Sequence, residues 1–222
     1  YGHPEDGATH AQVIRAVRLC GAAARLRRAK VGLVGQHVPG FSNMAVDPAQ
    51  LFRQLGVVLQ HVGLEEFFEL VESGEPGAVE ADVKRVMEAG LPMNESIGSD
   101  DLAAGSRCYL AMQRLLDEEN FDAMALRCWP EMPGRLGHWP YLAMSRLAAE
   151  GRVVALEGDA DGAVGCLIGS LLGIGPAYLS DWLDHDARTL TLWHPGHAPM
   201  EICEPDSARL DGHFNNQIPL VV

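Results

Sequence analysis

Three short stretches of this sequence gather residues able to do chemistry, each directly behind an apolar, strand-like run. Cys128-Trp129-Pro130-Glu131-Met132 follows the stretch 121–127. Glu131 there is either an exposed loop carboxylate or an acid–base group and metal ligand delivered into a cleft. Glu157-Gly158-Asp159-Ala160-Asp161-Gly162 follows Val153-Val154-Ala155-Leu156 and packs three acids into five positions. Such a group can coordinate a hard cation through oxygen, although the pattern is not an EF-hand loop. Asp161 also suits the cap of a helix beginning near Gly162, whereas Glu157 and Asp159 sit where a strand brings them against Glu131. Glu131 and Asp159 together make a two-carboxylate site able to hold a divalent ion, polarise a sugar carbonyl and hydroxyl, and shuttle a proton. Gly35-Gln36-His37-Val38-Pro39-Gly40-Phe41 is either a plain strand-to-helix turn or a cradle. It lacks both the G-x-G-x-x-G spacing and a Walker lysine, so a neutral ligand such as a sugar suits it better than a nucleotide. His194 and His197, between Trp193 and Pro199, are either turn residues or further members of the site.

These residues need a scaffold that delivers strand ends to one place. Lys30 to Gly35, Val57 to Val62, Phe121 to Cys128 and Arg152 to Leu156 read as short buried strands. Helices are expected over 11–28, 48–56, 64–73, 78–89, 99–120 and 140–149, with Asp47-Pro48 as a cap and first-turn proline. The alternation predicts an α/β fold: a parallel-sheet, Rossmann-like domain with helices on both faces, whose ligand sites lie beyond the carboxyl ends of the strands. Near residue 186 the texture changes to alternating and Pro/Gly/His-rich, so a β-rich region is expected to begin there. The division expected is an N-terminal helix over 1–29, a Rossmann-like middle domain over 30–150, and over 151–222 the start of a C-terminal domain.

The chain has 222 residues, 47% apolar and 21% charged, enough for a packed core in one large domain or two small ones. Its 17 basic and 30 acidic residues give a net charge of −13. That balance argues against nucleic-acid and anionic-membrane binding, which need a basic face. Six basic residues between Arg15 and Lys30 read as a solvated helix face. Neither a signal peptide nor a bilayer-length apolar run is visible, and five scattered cysteines with no Cys-x-x-Cys pair fit reduced thiols in a cytoplasmic protein. Tyr1 stands where a Met would start a chain, and Ile218 to Val222 ends it on apolar, strand-like residues.

Several ordered segments together resemble the L-fucose isomerase and L-arabinose isomerase family. Lys30 to Gly35, then Pro39-Gly40-Phe41 and Leu55-Gly56-Val57, is similar to the opening of that family's middle domain. Tyr109 to Leu115, then Phe121-Asp122 and Cys128-Trp129-Pro130-Glu131, resembles its helix and strand presenting a Pro-Glu pair. Glu157-Gly158-Asp159 resembles its acidic motif, and Gly175 to Asp181 with the 193–199 loop resembles the start of its C-terminal domain. The resemblance spans most of residues 20–205. It implies a metal-dependent aldose–ketose isomerase acting through an ene-diol, with Mn²⁺ held by Glu131 and Asp159, which also serve as acid and base. Substrate-facing residues are expected to be Phe41, Met44, Tyr109, Trp129, His194 and His197. It further implies a small sugar substrate and a homo-oligomer, trimer or hexamer. The family's preceding α/β domain and its later metal-binding histidine have no counterpart here, so the chain is expected to be the central segment of a protein roughly twice as long. The alternative is a non-catalytic sugar-binding or structural remnant of such an enzyme.

Overall fold

Local capping chemistry sets most element boundaries. Asp6 accepts the amides of Ala8 and Thr9 at 3.2 and 3.1 Å, so α1 (Gly7–Leu26) starts ahead of residue 11. After β1 (Lys30–Val34) a 3₁₀ turn, Ser42–Met44, leads to α2 (Pro48–Leu55), capped by Asp47 as expected and ended by Gly56. Then come β2 (Val58–Val62) and α3 (Leu64–Glu72). The next helix, α4 (Pro76–Glu88), starts earlier than residue 78 because the Glu75 carboxylate takes the Gly77 and Ala78 amides. There follow α5 (Ser99–Glu118), β3 (Ala123–Leu126), α6 (Glu131–Leu136), α7 (Tyr141–Ala149), β4 (Val153–Ala155) and α8 (Ala160–Leu172). Beyond them lie β5 (Asp181–His185), β6 (Leu190–Trp193), a 3₁₀ turn Met200–Ile202, β7 (Leu210–Gly212) and β8 (Pro219–Val221). The computed structural model describes residues 2, 3, 5–194, 196–204, 207–213 and 219–221. Tyr1, Pro195, Ile218 and Val222, used in the sequence reading, lie outside the described residues.

The four inner strands form one parallel sheet in the order β2-β1-β3-β4, with helices on both faces. Its fourth strand comes from beyond residue 150, so the sheet itself runs past that position. Alternation along β3 sorts the two cores. Met124 and Leu126 face α3, α5 and α7, packing with Phe67, Phe68, Met112 and Leu147. Ala123 and Ala125 face α8, where Ala160, Ala163, Val164 and Leu167 close in. Burying each large side chain contributes about 1.5–3 kcal/mol, and the small ones let α8 approach the strands. On the other face Gly32 in β1 leaves room for Phe121: a Cβ there would come 2.5 Å from the Phe121 ring.

An ionic lock joins the helices of the first face. Asp82 on α4 is fully buried and accepts two bonds from Arg146 on α7, at 2.7 and 2.8 Å. The same guanidinium lies 3.8 Å over the Tyr109 ring, and the Tyr109 hydroxyl donates to Glu150 at 2.6 Å. The terminal region is β-structured, as expected, in two antiparallel pairs, β5-β6 and β7-β8.

Candidate functional site

Strand order reverses between β1 and β3. From β1 the chain crosses outward to β2, then returns to lay β3 and β4 on the other side. In a parallel sheet the loops at such a switch point diverge and leave a crevice beyond the strands' carboxyl ends. Arg127, just after β3, spans this crevice: its guanidinium donates to the Gly35 carbonyl, just after β1, at 3.2 Å. It also donates to both oxygens of Glu131, through Nε at 2.9 Å to Oε2 and through Nη2 to Oε1. Glu131 stands at the first position of α6, where a carboxylate is stabilised by the exposed amides of the first turn.

The loop after β4 brings a second carboxylate. Glu157 has a left-handed backbone (φ +60°) and is 9% exposed. A non-glycine residue in that region costs on the order of 1–2 kcal/mol and is held there by its surroundings. The Val38 amide donates to the Glu157 carbonyl at 3.0 Å, and the Gly158 amide donates to the Leu126 carbonyl at 3.0 Å. The Glu157 carboxylate receives the Trp129 indole N–H at 3.3 Å and lies 3.9 Å from His194 Nε2. Aromatic rings close around it. Phe41 meets Trp129 edge-on at 5.9 Å, His194 meets His197 at 4.9 Å, and Tyr141 meets His194 edge-on at 6.1 Å. The Tyr178 hydroxyl fixes the histidine loop, donating to the His194 carbonyl at 2.5 Å and accepting its amide at 3.1 Å.

Asp159 caps α8 by accepting the Gly162 amide at 2.8 Å, so the cap is Asp159 rather than Asp161 and the helix begins at Ala160 rather than near Gly162. Burial raises its carboxyl above the ordinary value; the Gly162 amide opposes this and the nearby charges of Asp161 and Glu157 add to it.

The structure thus brings Phe41, Trp129, His194 and His197 together around Glu157, with Asp159 two residues along the same turn. Glu131 is engaged by Arg127. Met44 is half-buried at the end of the Ser42–Met44 turn. Tyr109 is placed elsewhere: its hydroxyl bonds Glu150 past the end of α7, on the side where β4 begins. Arg127 and Glu157 are the residues that sequence reasoning did not select. No periodic signal marks the first, because Arg127 lies in the loop ahead of the short helix that Glu131 opens. The second was set beside Asp159 as an acid that the strand end brings against Glu131, without being given a role.

The fold and site define a parallel α/β domain with paired carboxylates, histidines and aromatic rings at the switch point. No protein-family model matches the sequence. The chain is homologous to sulfoquinovose isomerases. It is 28% identical over 226 residues to those of Priestia aryabhattai and Priestia megaterium, covering 98% of this chain and 49% of each relative. It is 27% identical over 222 residues to that of Alkalicoccus urumqiensis, covering 98% of this chain and 50% of the relative. The chain therefore spans about half the length of the curated relatives it matches. The curated relatives matched are named sulfoquinovose isomerases, rather than the fucose or arabinose isomerases that the motifs resemble. No described helix is long and apolar enough to cross a membrane.

Proposed function

We propose that this chain carries part of the active site of an aldose–ketose isomerase, with a 6-sulfonated aldose as the first substrate to test. The observation that supports this most is homology along nearly the whole chain to enzymes named sulfoquinovose isomerases. Such a reaction moves one proton from C2 to C1 and a hydroxyl proton from O2 to O1 through an ene-diol. Carboxylates held at a fixed distance from both carbons can perform it, each group returning the proton it takes. Glu131 and Asp159 take these roles. Trp129 and Phe41 offer faces and edges for the sugar's C–H patches, while Glu157 and His194 offer hydrogen bonds to hydroxyls.

A divalent ion, Mn²⁺, held by Glu131 and Asp159 comes with the family resemblance. As arranged in this chain the residues do not fit one. Both Glu131 oxygens are on Arg127, one Asp159 oxygen caps α8, and among the described residues no three His, Cys, Asp or Glu side chains group around a common point. The proton transfers above rest on side chains alone. A homo-oligomer suits the apolar side chains exposed along α1, Val13, Ile14 and Val17 among them.

The test is proton NMR in deuterated water with sulfoquinovose and a panel of unsulfonated aldoses, following deuterium at C2. Label should enter at least one aldose, and Glu131→Gln or Asp159→Asn should slow it by about 10²-fold or more. Asp159→Asn retains a capping oxygen, so α8 stays formed; Asp159→Ala should in addition lose about 1 kcal/mol of stability. No label from any aldose favours a sugar-binding role without catalysis.

A further inference from the structure

We propose that Arg127 is a resident counter-cation of the site, occupying the place beside Glu131 that a divalent ion would need. The inference rests on the isomerase reading for its interest, but on the geometry of the switch point for its support. Arg127, in the loop after β3, and Glu131, at the start of α6, stand four residues apart, and their side chains are 19% and 33% exposed. The guanidinium engages both carboxylate oxygens, the two-pronged arrangement that makes arginine–carboxylate pairs strong. Its remaining terminal nitrogen is fixed by the Gly35 carbonyl across the crevice. Arg127 is thus anchored at both ends of the switch point instead of reaching in from a flexible surface position.

A metal ion ligated by Glu131 would meet this guanidinium directly. Two cations on one carboxylate repel, and the arginine already satisfies the oxygen lone pairs that a metal would use. Metal binding through Glu131 therefore requires Arg127 to be displaced, and that requirement weakens affinity by the free energy of the pair. In this arrangement Arg127 holds the Glu131 carboxylate in place through both of its oxygens.

Calorimetric titration of Mn²⁺ into the wild type, Arg127→Gln, Arg127→Lys and Arg127→Gln/Glu131→Gln tests this. Arg127→Gln should bind Mn²⁺ at least about tenfold more tightly than the wild type, since releasing a partly buried ion pair is worth more than 1.4 kcal/mol. Arg127→Lys keeps a cation beside Glu131 and should stay close to the wild type. The double variant should lose the gain. A merely structural role for Arg127 would lower affinity in both single variants and would not separate Gln from Lys. Circular dichroism of each variant shows whether it is folded, and Arg127→Met, which also removes the cation, serves if Arg127→Gln is not. Equal affinity of wild type and Arg127→Gln, or a gain that survives loss of Glu131, overturns the proposal. Deuterium exchange by the wild type is read separately: label without a gain in Arg127→Gln sinks the counter-cation and leaves the isomerase, and the reverse sinks the isomerase alone.

Discussion

Gly158→Ala is expected to destabilise the protein by about 2–5 kcal/mol and to abolish any exchange activity. Two effects combine. Gly158 has φ +68°, a conformation that costs an L-residue about 1–2 kcal/mol. A Cβ there would also fall 2.1 Å from the Gln36 carbonyl oxygen and 2.8 Å from the His37 Cα. Both are backbone atoms, so relief requires moving the loop after β1 away from the turn after β4. Those segments are joined by the Val38 amide on the Glu157 carbonyl, and separating them moves Phe41 from Trp129 and Glu157 from His194. Gly151→Ala provides the control. Gly151 has φ +77° but open space around it, so only the conformational part should appear. Urea denaturation with an unchanged slope reads the difference, and equal midpoints for the two variants would show that the contact between the loops is not tight.

Asp82→Ala is expected to cost about 3–5 kcal/mol, because it leaves the Arg146 guanidinium charged and without its carboxylate in the helix interface. For a domain of this size each kcal/mol corresponds to about 2–4 °C, so the melting temperature should fall by about 6–20 °C. The effect carries a pH signature. Burial alone would raise the Asp82 carboxyl, but the hydrogen bonds and charge of Arg146, with help from Ser106 and Arg85, outweigh it and hold the group below its ordinary value of 3.8. A carboxyl lowered in the folded state contributes stability above its unfolded value and loses it as pH falls through the folded one. The gap between wild type and Asp82→Ala should thus be full near neutrality and close progressively below about pH 4. A gap independent of pH would mean that packing, rather than the ion pair, sets the cost. Exchange activity in the surviving folded fraction should be intact, since Asp82 lies under α7 and not at the strand ends.

The parallel sheet was legible because each strand is short, largely apolar apart from Gln60 and His61 in β2, and bounded by a turn or cap, and because Asp47-Pro48 and Gly56 mark a helix at both ends. The strand ends therefore pointed to Phe41, Trp129, Asp159 and the two histidines. Other parts depended on distant partners. Helix α6 carries Pro133 and runs only from Glu131 to Leu136, too short for periodicity to mark, and its Arg127 contact could not be read without it. Asp159 and Asp161 are both good caps in sequence; the left-handed turn at Glu157 and Gly158 decides between them. Tyr109 looked like a sugar-stacking ring, but Arg146 and Glu150, brought from α7, make it part of the core instead.

The distribution of aromatic rings also gives the molecule a built-in optical readout. Of its four tryptophans, Trp182 and Trp193 sit on the exposed β5-β6 hairpin at 64% and 45% exposure, while Trp129 and Trp139 are half-buried. A soluble quencher such as iodide reaches the hairpin pair first and leaves the shielded pair emitting. Trp129 donates its indole N–H to Glu157. The emission that survives quenching therefore comes from Trp129 in the crevice and from Trp139, and under the proposed function a sugar settling against Trp129 should shift the Trp129 part of it without any label.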